Sequence, residues 1–316
     1  MIEPADPEAT AAEAWPALPY DAWADTLTTL NRWVQMVGKT RLALAPPVNH
    51  WWHIALRLTA RGIGSPSVQA ASGCFEAEFD FLDHALVLRN DGATRRLALA
   101  PRSVADFYRE YRAALAELGV QAKLFPRPVE LADATPFAED RVHASYDPDA
   151  VRRFWVALTH VARVLEQFRG RFVGKASPVH FFWGGFDIAC TRFNGRSAPT
   201  HPGGVPNVGD FVMREGYSHE CISAGWWPGG GPFPGMIREP AFYCYAYPEP
   251  DGLARARVQP AEAYYHPDML EFLLPYEAAR TASDPDAAAL AFLQSTYESA
   301  ADLAGWDRAA LERHPS

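Results

Sequence analysis

Residues 173–183 read Val-Gly-Lys-Ala-Ser-Pro-Val-His-Phe-Phe-Trp, and a similar, shorter sequence motif occurs earlier in the chain. In the earlier copy, Val37–Lys39 is followed by Pro47–His53, which holds a Pro-Val pair and an aromatic run. Each copy comes after a stretch with helical spacing, which begins at Asp21 in one case and at Asp147 in the other. Two matching segments of this kind predict a chain built from two halves on one plan.

The residues around the two copies predict the type of each element. An Asp at each helix start can cap free backbone N–H groups, and Gly38 is expected to end the first helix in the left-handed position that follows a helix. The aromatic and β-branched run Asn49–Thr59 predicts a strand. His180–Phe193 predicts a second strand, in which Gly184-Gly185 marks either a bulge or a close backbone approach. A bulge would turn Asp187 back toward the His180 side.

A closing helix, predicted to start at Ser103 in the first half and at Asp284-Pro285 in the second, extends the match between the halves. The spacing over Phe107–Leu118 recurs over Phe292–Leu303, and a Gly follows each segment closely. Between the helices, the alternation over Phe75–Phe81 predicts a strand with one wet face, and the turn residues Asn90–Gly92 predict a hairpin. Runs of strands bounded by helices, without alternating βαβ units, indicate an α+β fold.

We therefore predict an α+β fold of two pseudo-repeated halves, each made of a helix, antiparallel strands and a helix, packed as one compact unit. The first half spans residues 15–131 and the second spans residues 148–316. A Pro-rich, acidic linker at residues 132–147 joins them. Residues 1–14 are expected to form a mobile tail.

Composition restricts the class of function. The chain has 316 residues, of which 48% are hydrophobic and 21% are charged, so a large core can form. Its net charge is −9 and its arginines are scattered, so we expect no nucleic-acid partner. No apolar run reaches the roughly 18 residues of a membrane span, and no secretory signal is present, so we expect a cytoplasmic protein without membrane contact. The four cysteines form no C-x-x-C pair and are interpreted as buried thiols.

Several segments also carry a resemblance to a known family. They are Lys39–Trp52, Phe75–Asp83, Pro101–Phe107, His143–Asp147, Gly174–Asp187 and Phe292–Tyr297, and the wording is most specific at Ser177–Gly184. In these segments the chain resembles a family of uncharacterised bacterial proteins, described as a domain of unknown function. The resemblance covers nearly the whole chain and implies no activity and no catalytic residue.

The second copy differs from the first in ways that favour a functional site there. It has His180 where the first copy has Asn49, and its helix and its Gly/Pro loops are longer. A His near a carboxylate suits general acid–base chemistry, although such pairs also occur as structural hydrogen bonds. The candidate catalytic residues are the polar groups that strand spacing places nearby, namely His180, His219, Glu220, Asp187 and Arg192.

A pocket between the halves is the expected place for a ligand, because small-molecule sites combine apolar walls with a few polar groups. We expect a small, partly aromatic molecule as the partner. The candidate ligand-binding residues are Trp52, Trp183, Trp226, Tyr245 and Lys175. Lys175 and Lys39 occupy matching positions after a Gly, where a Lys either interacts with the negative end of a helix or binds an anion in a cleft.

A divalent metal is the cofactor that His180, His219 and Glu220 would hold, because imidazole and carboxylate ligands suit Zn or Fe. Strand geometry weighs against part of this set. Neighbours in a strand point to opposite faces, so His219 and Glu220 diverge, and His50 and His53 diverge for the same reason.

Two classes of function stay open at this point. The first is an enzyme or binding protein for a small, partly aromatic molecule. The second is a non-catalytic module, whose aromatic surface binds a protein partner or a second copy of the chain in a homo-oligomer. Convergence of several named polar groups in one concave site would favour the first class, and complete packing without a cavity would favour the second.

Overall fold

A computed structural model describes residues 15–230 and 237–313 of the chain. Helices and two antiparallel sheets form the structure, which confirms the α+β class. The tail predicted at residues 1–14 lies outside the described residues. No helix within the described ranges is long and apolar enough to cross a membrane.

The first sheet lies between residues 57 and 98. Its strands are β1 (Arg57–Leu58), β2 (Gly62–Gly64), β3 (Val68–Ala70), β4 (Gly73–Asp80), β5 (Ala85–Asn90) and β6 (Ala93–Ala98). They pair in the order β1-β2-β4-β5-β6, and β3 also pairs with β4. The predicted alternation is confirmed in β4, where Phe75, Ala77 and Phe79 are buried, and β5 and β6 form the predicted hairpin.

Two helices share a core with the first sheet. They are α1 (Ala24–Leu44) and α2 (Val104–Glu117). Trp33 of α1 stacks on Phe107 of α2, with ring centroids 4.4 Å apart. Ser103 caps α2 by accepting a hydrogen bond from the backbone N–H of Asp106.

The chain around the first copy of the repeat differs from the prediction in three places. Asp21 does not cap the first helix, because α1 begins at Ala24 after the N-cap residue Trp23 and no side chain caps it. α1 does not end at Gly38 but continues to Leu44, and Gly38 serves to admit Trp183, since a Cβ there would lie 2.4 Å from the indole ring. The predicted strand Asn49–Thr59 is also wrong. A short 3-10 helix forms at Asn49–Trp51 instead, with left-handed φ values of 57° at His50 and 60° at Trp51.

The second sheet is formed by residues 180–275. Its strands are β7 (His180–Phe182), β8 (Asp187–Ser197), β9 (His219–Trp227), β10 (Ala241–Tyr247), β11 (Tyr264–His266) and β12 (Glu271–Pro275), in the order β11-β12-β10-β9-β8-β7. The predicted bulge at Gly184-Gly185 is wrong, because β7 and β8 form a hairpin in which Phe182 pairs with Asp187. The two glycines lie in its turn.

The remaining helices are α3 (Pro148–Gly170), α4 (Asp210–Gly216), α5 (Tyr276–Arg280), α6 (Pro285–Leu303) and α7 (Arg308–Leu311). Of these, α3 and α6 begin where the sequence predicts. The Asp147 carboxylate caps α3 and the Asp284 carboxylate caps α6, each ahead of a first-turn proline. α3 and α6 contact each other and cover one face of the second sheet.

Backbone and side-chain contacts join the two sheets. Leu56, just before β1, and Phe181 of β7 exchange backbone hydrogen bonds of 2.9 and 3.0 Å. The segment predicted as a linker is itself anchored, since the buried carboxylate of Asp140 lies 3.1 Å from the buried guanidinium of Arg32 on α1. That segment therefore contributes to the packed structure.

Candidate functional site

One face of the second sheet, opposite α3 and α6, carries the polar side chains of interest; we call it the cavity face. Side chains alternate along a strand, and directly paired residues share a face. Thr191 pairs with Ser223, which pairs in turn with Tyr245, so these three form one row across the sheet. The full set on this face that borders open space is Phe182, Asp187, Ala189, Thr191, Phe193, Cys221, Ser223, Tyr243 and Tyr245.

Above this face lies a cavity of about 310 Å³. The sheet forms its floor, and its roof is formed by α4, by Val205 and Val208, and by the turn at residues 50–54. Glu130, from the segment between the two sheets, completes the lining. The volume is at the small end of the range for ligand pockets, and the walls are mostly apolar or aromatic, as such pockets usually are.

Two carboxyl groups lie close together in this cavity, those of Glu130 and Asp187. Glu130 has a left-handed φ of 55°, and its backbone N–H donates to the Pro206 carbonyl at 3.0 Å. A Cβ on Gly184 would lie 2.0 Å from Glu130 Oε1, and one on Gly185 would lie 2.9 Å from Asp187 Oδ1 and 3.4 Å from Glu130 Oε2. The Gly-Gly turn therefore leaves the space that both carboxyl groups occupy.

The carboxyl groups near this face are held in a state that favours protonation. Desolvation, and then the charge of Asp187, raise the pKa of Glu130 to about 7, although Lys39 acts in the opposite direction. Desolvation raises the pKa of Asp187 to about 6, and a hydrogen bond from the Tyr243 hydroxyl partly offsets the rise. On β12, burial and then Asp187 raise the pKa of Glu271 to about 8. The charge of Asp187 thus couples its ionisation to that of Glu130 and of Glu271.

Three tyrosines line the same cavity. The Tyr243 and Tyr245 rings stack with centroids 6.1 Å apart, and the hydroxyl groups of Tyr245 and Tyr217 are hydrogen bonded at 2.5 Å. Desolvation raises the pKa of all three phenols, so they stay protonated at physiological pH. The Thr191 and Ser223 hydroxyl groups are hydrogen bonded to each other at 2.9 Å.

The roof of the cavity contains a neutral histidine. His50 Nδ1 lies 2.9 Å from the Gly216 carbonyl, and its Nε2 lies 2.9 Å from the ammonium group of Lys175. Because the ammonium can only donate, Nε2 accepts and Nδ1 carries the proton. Burial lowers the pKa of His50, which agrees with this tautomer. Lys175 also lies over the Trp52 and Phe193 rings, 5.4 and 5.1 Å from their centroids.

Of the residues proposed from the sequence, Asp187, Trp52 and Tyr245 line the cavity, and Lys175 contacts its roof. His180 is fully buried, and in the described part of the chain neither of its ring nitrogens has a hydrogen-bond partner. Burial, together with the charges of Arg57, Arg169 and Arg41, lowers its pKa to about 3. His180 is therefore a neutral histidine packed beside Trp52, with ring centroids 6.0 Å apart.

The proposed metal ligands do not meet. The Glu220 carboxylate pairs with Arg196 at 2.7 Å and accepts from Asn194 at 2.6 Å. His219 Nδ1 is 3.0 Å from the Ser218 hydroxyl. Across residues 15–230 and 237–313, no three His, Cys, Asp or Glu side chains form a group that could hold a metal ion. Strand alternation separates neighbours here as the geometry of a strand requires.

Three further candidates lie away from the cavity. Arg192 is fully buried on the face toward α3 and α6, where it donates to the Phe168 carbonyl and lies 3.5 Å from the centroid of the Phe168 ring. Trp226 is fully buried on that same face. Trp183 donates from Nε1 to the Ile54 carbonyl at 3.0 Å and packs against α1.

Sequence reasoning missed Glu130, Tyr217 and Tyr243. The alternation in Phe242–Tyr247, with phenols on one face and Phe, Cys and Ala on the other, was the available signal for Tyr243. A row of phenols opposite an apolar row indicates a buried polar face. Glu130 has no such signal, because it lies in irregular chain.

Comparison with known proteins places the chain in a family. The model of a family described as a family of unknown function (DUF5996) matches residues 15–313, so the chain belongs to that family, and the resemblance noted in the sequence is confirmed. No curated protein and no solved structure matches it.

Proposed function

We propose that this member of a family of unknown function is a cytoplasmic enzyme that binds a small, partly aromatic molecule in the cavity and moves a proton on it with Glu130 and Asp187. The observation that carries the proposal is the presence of two adjacent carboxyl groups in a cavity with aromatic walls. A binding protein without turnover would use the same cavity.

The electrostatics of the pair support acid–base chemistry. Two coupled carboxyl groups that titrate near neutral pH provide one protonated and one ionised group at the same time. The ionised group can take a proton from the bound molecule while the protonated group supplies one, so the proton count of the site is unchanged. Efficient proton transfer favours groups whose pKa values are close to the working pH.

The backbone around the cavity supports the same proposal. His50, Trp51 and Glu130 all line the cavity and all adopt left-handed φ values. A non-glycine residue in this region costs about 1–2 kcal/mol and persists only where the surroundings hold it. Such strain concentrates at functional sites, where it positions side chains that an unstrained backbone would place elsewhere.

The proposed division into two pseudo-repeated halves also draws support from the contacts at the centre. Lys39 of the first copy lies over Trp183 of the second, and Lys175 of the second lies over Trp52 of the first. We infer from this exchange that residues 15–131 and 148–316 follow one plan. The cavity then belongs to the second half, with the turn at residues 50–54 as its opposite wall.

Turnover of a small-molecule mixture tests the proposed enzyme. Purified protein would be incubated with a polar extract of small molecules, and the mixture would be profiled by mass spectrometry over time. We expect at least one compound to be depleted by the wild type and not by Glu130→Gln or Asp187→Asn, with a maximum rate near neutral pH.

A matched control is Glu78→Gln, which removes a partly buried carboxylate of the first sheet that pairs with Arg89. This variant is expected to behave as the wild type. Turnover that persists in Glu130→Gln and Asp187→Asn would contradict the assigned pair. Ligand binding without turnover in the wild type would assign the cavity to a binding protein.

A further inference from the structure

The carboxyl groups of the cavity face have no cationic partner in the described ranges. Asp187 acts on Glu130 and on Glu271, and the single cation that influences the titration of these groups is Lys39, which acts on Glu130. Lys39 does not line the cavity. Its ammonium group lies 5.1 Å from the Phe125 ring centroid and 5.2 Å from that of Trp183. The acidic end of the cavity therefore lacks a counter-charge of its own.

The hydroxyl groups near this end are already engaged. The Tyr243 hydroxyl donates to Asp187 Oδ2, and the hydroxyl groups of Tyr217 and Tyr245 bond to each other. A ligand therefore meets carboxylate oxygens and the rings of the tyrosines rather than free phenol groups. Electron-rich ring faces and carboxylates both attract an organic cation.

At the opposite end of the cavity, His50 offers no free donor to an anion. His50 is neutral and uses its one N–H on the Gly216 carbonyl. Its second ring nitrogen accepts from Lys175, whose ammonium group lies over the Trp52 and Phe193 rings. An anionic ligand would thus face two desolvated acids without gaining a free donor from His50.

We infer that the cavity takes a small organic amine, with its protonated nitrogen between Glu130 and Asp187 and its apolar part against Tyr243 and Tyr245. The inference rests on the proposed function and names the substrate class of that site. The ammonium group supplies the counter-charge that the carboxyl pair lacks. At about 310 Å³, the cavity restricts the amine to a small one.

Amine binding is coupled to the release of a proton from the carboxyl groups. An ammonium group favours ionisation of the carboxyl pair, so amine binding releases a proton when the free site holds two, and the second proton stays on the pair for the transfer proposed above. The affinity for the amine is therefore expected to rise with pH from about 5 to about 7, the interval over which the pair loses the first of its two protons.

Calorimetry with three probes of similar size and different charge tests the inference. The probes are 2-phenylethylamine, 2-phenylethanol and phenylacetate, each titrated into full-length protein at neutral pH. We expect the amine to bind at least about tenfold more tightly than the alcohol, which is the order of a single charge-assisted pair. Phenylacetate is expected to bind most weakly. Buffers with different ionisation enthalpies would report the released protons.

Variants locate the charge that recognises the amine. Glu130→Gln and Asp187→Asn are each expected to weaken amine binding at least about tenfold and to leave 2-phenylethanol binding nearly unchanged. Glu78→Gln serves as the carboxylate control outside the cavity. Near-ultraviolet circular dichroism would check folding, and the pH dependence of wild-type binding tests the inference even if a variant does not fold.

Three results would overturn the inference. They are equal affinity for amine and alcohol, tighter binding of phenylacetate, and no amine binding at millimolar concentration. Titration of the two carboxyl groups without a ligand tests the proposed acid–base pair separately. If the pKa values of both carboxyl groups are raised but the amine is not preferred, the acid–base pair is retained and only the amine is rejected as the substrate class.

Discussion

Each face of the second sheet shields a charged group from solvent, Arg192 fully and Asp187 in part, and the surroundings of the two groups are opposite. On the face toward α3 and α6, the Arg192 guanidinium lies between the Phe168 and Tyr297 rings, 3.5 and 4.1 Å from their centroids. On the cavity face, Asp187 borders open space shared with Glu130. Burial lowers the pKa of Arg192 to about 10, whereas it raises that of Asp187 to about 6.

This difference shows that burial of a charged group does not by itself mark a functional site. Arg192 has aromatic faces and a backbone carbonyl around it and does not border the cavity, although its Nε and Nη1 have no hydrogen-bond partner among the described residues. Asp187 has a hydroxyl donor and a neighbouring acid, so its environment lacks a positive charge. A bound molecule can change the surroundings of Asp187 but not those of Arg192.

Removal of the buried Arg192 guanidinium is expected to cause the largest loss of stability. Arg192→Ala leaves a hole between the aromatic rings and a carbonyl without its donor, and we expect a loss of about 3 kcal/mol or more in the free energy of unfolding. Urea unfolding followed by circular dichroism measures it. The matched control is Arg196→Ala on the same strand, whose half-exposed side chain pairs with Glu220 and should cost less than about 1 kcal/mol. Equal losses would contradict the contrast between the faces.

The pH dependence of stability tests the carboxyl groups near the cavity face. A raised pKa means that the folded state holds a proton which the unfolded state has released, so stability falls as pH rises from about 5 to about 8. Glu271→Gln removes one such group, whose pKa is about 8. It is expected to reduce that fall by roughly 2–3 kcal/mol, since one unit of pKa corresponds to about 1.4 kcal/mol.

The free energy of unfolding, measured in urea at several pH values, gives the slope. Glu117→Gln is the control, because it removes an exposed carboxylate that pairs with Arg95. A wild-type stability that is flat or rises over this interval would show that these carboxyl groups do not hold their protons in the folded state.

A smaller loss of stability is expected from a substitution at Gly225, which lies beneath the Tyr243 ring. A Cβ on Gly225 would lie 2.5 Å from the Tyr243 hydroxyl oxygen and 2.5 Å from the Ile188 carbonyl. Gly225→Ala should therefore displace the phenol and cost about 1–2 kcal/mol in thermal or urea unfolding. Gly170→Ala is the control, because a Cβ at that helical position meets no atom within 4 Å. If both variants are equally stable, Tyr243 is not packed on the sheet as described.

The smallest change in stability is expected when the Tyr243 hydroxyl group is removed. Tyr243→Phe removes the donor to Asp187, and since that hydrogen bond lowers the pKa of Asp187, its loss should raise the pKa further. The stability change should be about 1 kcal/mol. Carboxyl chemical shifts recorded against pH would measure the shift. Tyr247→Phe, which removes a bond to the Pro199 carbonyl, should leave the titration unchanged.

Prediction from the sequence succeeded where periodicity is strong and local. The alternation in β4, the β5–β6 hairpin and the caps at Asp147 and Asp284 depend on neighbours in sequence, and all four are present. Prediction failed at Gly38, where the helix continues because Trp183 packs against it. A contact between residues so distant in sequence leaves no local signature.

The candidate site shows the same limit. Asp187, Trp52 and Tyr245 could be named from composition and strand alternation, and the cavity contains them. Glu130 could not, because its position depends on a left-handed backbone residue and on a hydrogen bond to Pro206 across the fold. Strand alternation places Asp187 and Arg192 of β8 on opposite faces, but the local pattern does not say which of the two faces borders a cavity.

Direct titration of the carboxyl groups tests the central claim, that Glu130 and Asp187 form a proton-sharing pair in the cavity. Carbon-13 labelling of Asp and Glu side chains allows each carboxyl group to be followed by NMR from about pH 3 to about pH 9. We expect two coupled groups to titrate near pH 6 and 7, and each resonance to disappear in Asp187→Asn or Glu130→Gln. Titration of both groups at the ordinary values of about 4 would contradict the account.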